Sequence, residues 1–212
     1  MIIERLEVGP FASNCYIVGD ESSKEAMIID PGDEADRIIK RVEDLGLEIK
    51  LIVLTHGHID HIGAISEVKE ATGAQVAIHA DDAPMLQMRS PMGAMFGPPP
   101  RIPPAPDRLL KGGESLDIGS LRFLVIHTPG HSQGGICLMT EGVVFSGDTL
   151  FNFSIGRSDF PGGSMPQLMD SIHTKLMVLP DDTIVYPGHG LESTIGAECQ
   201  YNPFLQGDSP FR

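Results

Sequence analysis

The stretch Leu51-Ile52-Val53-Leu54-Thr55-His56-Gly57-His58-Ile59-Asp60-His61 decides how this chain folds. It begins inside a nearly continuous apolar, β-branched run over residues 49–55, the signature of a strand buried on both faces. Five of the seven side chains from Thr55 to His61 can hydrogen-bond or ligate, and a helical pattern runs on from His61 to about Thr72. In extended chain His56 and His58 point to the same side, and a turn into the helix aims Asp60 and His61 at a neighbouring point. That spacing suits two adjacent metal ions, for which imidazole nitrogen and carboxylate oxygen are ready ligands. The position suits them too, because open α/β sheets carry their sites beyond the carboxyl ends of their strands.

Three later loops repeat the construction. His131 stands in HTPGHS after LRFLVI, Asp148 in SGDT after GVVF, and His189 in YPGHG after TIV. Each follows an apolar strand and has a glycine immediately before it, which lets the backbone turn sharply at the strand end. A lone histidine at a helix start reads most simply as a satisfied polar residue. Three histidines and an aspartate within six residues, joined by three more such loops, read as a metal centre.

Around this motif the pattern predicts strands over residues 2–8, 14–19 and 25–30, with turns at Gly9-Pro10 and Gly19-Asp20. An amphipathic helix with an acidic first turn follows over 33–46, stopped by Gly46, and a further strand over 75–79. Strand, helix, strand, helix, strand is the grammar of a layered α/β architecture. From Pro84 to Pro106 the composition shifts to Pro91, Pro98, Pro99, Pro100, Pro103 and Pro104 with Met85, Met88, Met92 and Met95, which predicts a loop rather than a helix. RLLK, ESLDI, LRFLVIH, GICLMT and GVVFSG then read as strands, 165–179 as a helix, 183–186 as a strand, and about 193–201 as a last helix. The two halves look alike, each with strands followed by helices, and nothing reads as a linker, so residues 1–212 are expected to form a single domain.

Composition narrows the function classes. The 212 residues are 41% hydrophobic and 21% charged, an ordinary globular balance. With Lys+Arg 15 against Asp+Glu 29 the formal net charge is -14, which argues against nucleic acid as a partner. No apolar run approaches the roughly 18 residues of a membrane span, so no membrane partner is expected. Glu4, Arg5 and Glu7 interrupt any signal-peptide core, and the three cysteines contain no CxxC pair, so a cytoplasmic location is expected.

HxHxDH at 56–61, with His131, Asp148 and His189 in that order, resembles the metallo-β-lactamase fold superfamily. Within it, TLF and SIGRSDFPGG across 149–163, LPDDTIVYPGHG at 179–190 and NPFL at 202–205 resemble small glyoxalase II-like (hydroxyacylglutathione hydrolase-like) hydrolases. The resemblance implies a four-layer αββα sandwich with two divalent metal ions at one edge, zinc first, with iron or manganese as alternatives. It further implies that His56, His58 and His131 hold one ion, that Asp60, His61 and His189 hold the other, and that Asp148 bridges them.

Neutral imidazoles leave a divalent ion Lewis acidic, and two such ions share a water whose pKa falls toward about 7. The expected reaction is attack of that hydroxide on a carbonyl carbon, with Asp60 orienting the nucleophile or moving a proton. The implied function is hydrolysis of a small-molecule thioester, S-acyl glutathione or similar. Full-length glyoxalase II enzymes add a helical region that helps hold glutathione, whereas 23 residues follow His189 here, so glutathione specificity does not carry over. The alternative is a persulfide dioxygenase with one iron on His56, His131 and Asp148. SDFPGG and YPGHG look more like the hydrolases. A lactonase, a periplasmic β-lactamase and a non-enzymatic binding module rank lower, the last because all seven ligands are present.

Arg157 is the best-placed cation for an anionic substrate group, with an ion pair to Asp159 as the equal alternative. Asp30, ending AMIID, either accepts the outer N–H of a ligand histidine or serves a turn or cap. His79, His127 and His173 read as structural. The methionines of 85–106 either wall the substrate's leaving group or pack the loop onto the core, with packing favoured.

Overall fold

The chain begins with three strands, β1 (Ile2–Val8), β2 (Ser13–Gly19) and β3 (Glu25–Ile29), paired antiparallel. In this computed structural model, which describes residues 1–87, 101 and 103–206, β4 (Glu48–Val53), β5 (Gln75–His79) and β6 (Arg108–Leu110) add in parallel to β3. They complete a six-stranded sheet in the order β1-β2-β3-β4-β5-β6. The second sheet has the order β14-β13-β10-β9-β8-β7. It is built from β7 (Ser115–Ile118), β8 (Leu121–His127), β9 (Ile136–Thr140), β10 (Val143–Gly147), β13 (Ile184–Pro187) and β14 (Ser193–Thr194). A small hairpin, β11 (Leu150–Phe151) with β12 (Ser154–Ile155), stands apart.

The period-2 alternation of strand side chains sorts the apolar residues into three layers. On β2, Tyr16 and Val18 face the other sheet, where they meet Leu116, Phe123, Val125, Leu138 and Phe145. Cys15 and Ile17 face the opposite way, onto Ile38 and Val42 of helix α1 (Ala35–Leu45) and Ile65 and Val68 of α3 (Ile65–Thr72). The outer face of the second sheet, with Cys137, Val144 and Val185, is covered by Leu168 of α4 (Met165–Ser171) and Ile195 of α5 (Ile195–Tyr201). The result is the expected αββα sandwich. β2 is buried along its whole length, as a central strand covered on both faces must be.

Several elements differ from expectation for local reasons. The helix expected over 61–72 is split into α2 (Ile59–Ile62) and α3, because the Ala64 N–H donates to the Pro31 carbonyl (3.0 Å) instead of continuing the helix. Helix α4 passes into a π-helical turn over Ile172–Leu176. The last helix begins at Ile195 with Thr194 as its N-cap, its hydroxyl accepting the Ala197 N–H (3.2 Å). Ala83–Gln87 forms a 3-10 turn where a loop was expected, and the rest of the Met- and Pro-rich reading falls largely on residues 88–100 and 102, outside the described residues. The β11–β12 hairpin carries no glycine; Phe153 takes the left-handed conformation (φ 55°), and its N–H is satisfied by the buried Glu198 carboxylate (3.0 Å). Among the described residues no helix is long and apolar enough to cross a membrane.

Asp20, just past the end of β2, reaches across to the β7–β8 turn. Its carboxylate accepts the N–H groups of Ser120 (2.7 Å) and Ser22 (2.9 Å), bonds that hold it well below the usual carboxylate range. Its contribution to stability is therefore present above the unfolded carboxyl value of about 3.9 and is lost as pH falls through the lower folded value. Urea unfolding of wild type and Asp20→Asn is expected to show a wild-type advantage at pH 7 that shrinks below about pH 4; a constant gap would remove Asp20 as its source. Phe123→Ala, emptying a fully buried position between the sheets, is expected to cost about 3–5 kcal/mol. Its neighbour Leu124, 39% exposed, should cost under about 1 kcal/mol when cut to alanine.

Candidate metal centre

Parallel pairing of β3 with β4 brings their carboxyl ends side by side, and the centre grows from that juxtaposition. Asp30, just past β3, lies 1% exposed in the left-handed conformation (φ 52°). Its carboxylate accepts the Thr55 N–H (2.7 Å) and the Thr55 hydroxyl (2.6 Å), and its Oδ2 lies 3.0 Å from His61 Nδ1. Of the two readings of Asp30, the structure thus places it against the outer nitrogen of a candidate ligand.

The same arrangement recurs around the site. With its hydrogen committed to Asp30, the Thr55 hydroxyl oxygen accepts from His56 Nδ1 (3.0 Å). His131 Nδ1 donates to the Arg157 carbonyl (2.7 Å) and His189 Nδ1 to that of Phe11 (3.2 Å). In four histidines, then, the outer ring N–H is spent on the protein, which fixes the tautomer and leaves the Nε2 lone pair facing inward. His58 is the exception, with Nδ1 pointing inward, 2.8 Å from His131 Nε2.

The inward atoms fall into two groups. His56, His58 and His131 form one; Asp60, His61 and His189 form the other, with His61 Nε2 3.2 Å from His189 Nε2 and Asp60 Oδ2 3.3 Å from His189 Nε2. Asp148 lies between them, Oδ2 3.5 Å from His131 Nε2 and 3.6 Å from His189 Nε2, Oδ1 3.5 Å from His61 Nε2. All seven residues singled out as ligands are brought together. Two buried atoms here, His56 Nε2 and Asp148 Oδ1, have no hydrogen-bond partner. Orphaned lone pairs converging from imidazoles and carboxylates fit a pair of metal ions, since burying such atoms otherwise costs free energy without return.

The titration of these groups follows from their crowding. Burial, then His61, holds His56 well below the usual histidine range; burial and His131 push His58 down to about 4. Burial acts the same way on His61, but Asp148, Asp30 and Asp60 outweigh it and lift the ring to about 10. Burial pushes the Asp60 carboxyl up, yet His189 and His61 overcome it and keep the group ionised well below its ordinary value.

Other side chains do what the sequence did not reveal. Asn14 Nδ2 donates to the carbonyls of Pro187 and Gly190 (both 2.9 Å), and the Tyr16 hydroxyl to that of Pro187 (2.7 Å), so β2 grips the His189 loop. Ser13 Oγ donates to the Asp60 carbonyl (2.6 Å). Asp82, fully buried beyond β5, accepts hydrogen bonds from Gly57, just before His58, and from Ser132 and Gly134, just after His131. An acidic residue past the end of the next parallel strand was the signal available for it. Arg157 forms a bidentate pair with Asp159 (2.7 Å each) and lies 4.0 Å over the Phe160 ring, so an anionic substrate group has to compete for it. His79 and His127 stack on each other (4.1 Å between ring centres), each with one ring nitrogen bonded to backbone. A cleft of about 700 Å³, lined in part by Phe11, Ser13, Asp33, Glu34, Ile59 and Asp60, touches the cluster through Asp60.

With this geometry in place, a family model described as the metallo-beta-lactamase superfamily matches residues 8–189. The chain belongs to that superfamily. It is 41% identical over 99% of its length to all of hydroxyacylglutathione hydrolase GloC from Haemophilus influenzae. It superposes with a TM-score of 0.91 on the BLEG-1 B3 metallo-beta-lactamase, 40% identical, over 97% of this chain and 100% of that one. A di-iron-bound form of TTHA1623 superposes at 0.86, 38% identical, over 95% and 100%. The chain is therefore a metallo-hydrolase of the metallo-beta-lactamase superfamily with paired His/Asp clusters, whose relatives include a protein that holds iron.

Gly188 allows the closest approach. A Cβ there would stand 2.1 Å from Asp148 Oδ1 and 3.0 Å from His61 Cε1, forcing both candidate ligands aside. Gly188→Ala is expected to keep the far-ultraviolet circular dichroism of wild type, to bind less metal, and to lose about 100-fold in activity, as a displacement of about 1 Å does; wild-type metal content would show that the loop yields without cost.

Proposed function

We propose that this chain hydrolyses a small-molecule thioester, S-acyl glutathione or a compound like it. The reading places one divalent ion on His56, His58 and His131, a second on Asp60, His61 and His189, and Asp148 between them. The observation that carries it is the convergence of two ligand groups of three around one carboxylate, with the orphaned His56 Nε2 and Asp148 Oδ1 facing inward. Zinc is the first candidate. Bound there, two such ions would supply a water of lowered pKa and polarise a carbonyl oxygen.

The rest is work for the chain's own residues. Asp60, ionised and 20% exposed, would orient that water by accepting a hydrogen bond from it, with His189 and His61 steadying the carboxylate. The Phe160 ring, 5.3 Å from that of His58, forms an apolar wall, and Arg157 above it offers a cation to a carboxylate of the substrate once Asp159 releases it. The cleft beside Asp60 carries the opposite charge, with Asp33, Glu34, Asp36 and Glu67 against Arg37, and so suits a neutral or cationic portion of the substrate. A cytoplasmic location belongs to the same reading and is supported by three free thiols, Cys15, Cys137 and Cys199.

A second reading, hydrolysis of a β-lactam amide, draws on the likeness to BLEG-1. The persulfide dioxygenase reading needs only His56, His131 and Asp148, and leaves Asp60, His61 and His189 without a task.

One set of assays separates these. Purified without chelators, the protein is expected to hold two metal equivalents and to hydrolyse S-lactoylglutathione. Asp60→Ala should lower that turnover by about 100-fold or more with the fold intact. Oxygen uptake on glutathione persulfide by a one-iron protein would install the dioxygenase instead, and opening of a β-lactam without thioester cleavage would install the second reading. A fully loaded protein inert to the thioester sinks the proposed substrate class.

A further inference from the structure

We infer that Asp82 is the positioning residue of the His56–His58–His131 group, holding those three side chains in register from behind. The inference rests on the two-ion reading above.

Asp82 lies just beyond β5, the strand next to β4, with its carboxylate wholly removed from solvent. A buried carboxylate is costly unless each oxygen is hydrogen-bonded. Here Oδ2 accepts the Gly57 N–H (3.1 Å) and the Ser132 hydroxyl (2.6 Å), and Oδ1 accepts the Gly134 N–H (2.6 Å). Gly57 separates His56 from His58, and Ser132 follows His131. One carboxylate thus ties the loop after β4 in the first sheet to the loop after β8 in the second, touching the backbone or the neighbour of all three histidines and none of Asp60, His61 or His189.

His58 shows why such a tie is needed. The other four histidines are oriented by an outward Nδ1–H bond, whereas the Nδ1 of His58 faces His131. Among the described residues its ring has only packing on the outer side, against Phe160. Its direction therefore depends on where the backbone puts it, and the Gly57–Asp82 bond sets that backbone. The fit is close: a Cβ on Gly134 would lie 2.7 Å from Asp82 N, and one on Gly57 would lie 3.1 Å from the Asp82 carbonyl oxygen and 2.7 Å from Met85 Cβ. An amide cannot replace the carboxylate, because one end of an Asn side chain would turn an NH₂ group toward these donors.

The test measures zinc affinity by chelator competition, with metal stoichiometry determined separately, in two backgrounds. In His189→Ala, where the ion of the His56 group remains, Asp82→Asn is expected to weaken zinc by about 10–100-fold. In His58→Ala, where the other ion remains, the same substitution should change affinity by less than about threefold. Equal weakening in both backgrounds, or none in either, overturns the inference, since a merely structural role would not discriminate between them. If Asp82→Asn does not fold, Ser132→Ala removes one of the three bonds and is expected to weaken zinc by about two- to tenfold in the His189→Ala background alone; equal or absent effects again overturn the inference. A wild-type chain that binds a single ion overturns the two-ion reading instead. Asp82 then stands only if Asp82→Asn weakens that ion at least about tenfold, and falls otherwise.

Discussion

The outward hydrogen bond made by four of the five imidazoles, those of His56, His61, His131 and His189, is the interaction on which the centre depends. A neutral histidine presents one donor and one acceptor, and an N–H committed to Asp30, Thr55 or a backbone carbonyl turns the lone pair of the other nitrogen inward. Without those bonds the inward nitrogens would satisfy one another or turn toward solvent. With them, the Nε2 atoms of His61 and His189, 3.2 Å apart, face each other around a shared proton or cation. The raised pKa of His61 expresses the same tension: three carboxylates around a buried ring call for positive charge, which a proton or a metal ion supplies.

The seven candidate ligands that the structure brings together were legible because each is local: a polar residue at the end of an apolar strand needs no tertiary knowledge to stand out. Residues 49–55 and the four loops after LIVL, LRFLVI, GVVF and TIV announced both the strands and the polar residues at their ends. Legibility failed where a distant partner decides the outcome. Nothing near Ala64 signals that its N–H will prefer the Pro31 carbonyl, and nothing in Asn152-Phe153 signals a hairpin whose free N–H is met by Glu198, 45 residues away. The supporting residues share this property. Asn14 acts over 173 residues on Pro187, and Asp82 over 50 on Ser132, so their roles are invisible until the sheets are assembled.

Arg157 illustrates a different limit. Sequence left it open between substrate and Asp159, and the structure shows the pair formed, with the guanidinium also spread over Phe160. Both partners of the pair are largely exposed, so it is worth little and is readily exchanged. Its backbone carbonyl, by contrast, is fixed on His131, so this residue shapes the metal site whatever its side chain does.

Each candidate ligand group draws on both sheets: His56 and His58 with His131, and Asp60 and His61 with His189, with Asp148 again from the second sheet. Neither half of the chain can build either group alone, and any sliding of one sheet on the other would open both. The interface resists sliding through large interlocked rings, Tyr16 standing edge-on to Phe145 (5.2 Å) and Tyr186 (5.6 Å). At the edge itself, backbone bonds cross from sheet to sheet, from Ile136 N–H to the Thr55 carbonyl (2.8 Å) and from Asn14 N–H to the Gly188 carbonyl (2.7 Å). Those bonds end on residues adjoining His56 and His189. The rigidity of the sandwich core is thereby delivered to the candidate ligands, and the precision of their arrangement is a property of how the two sheets are locked together.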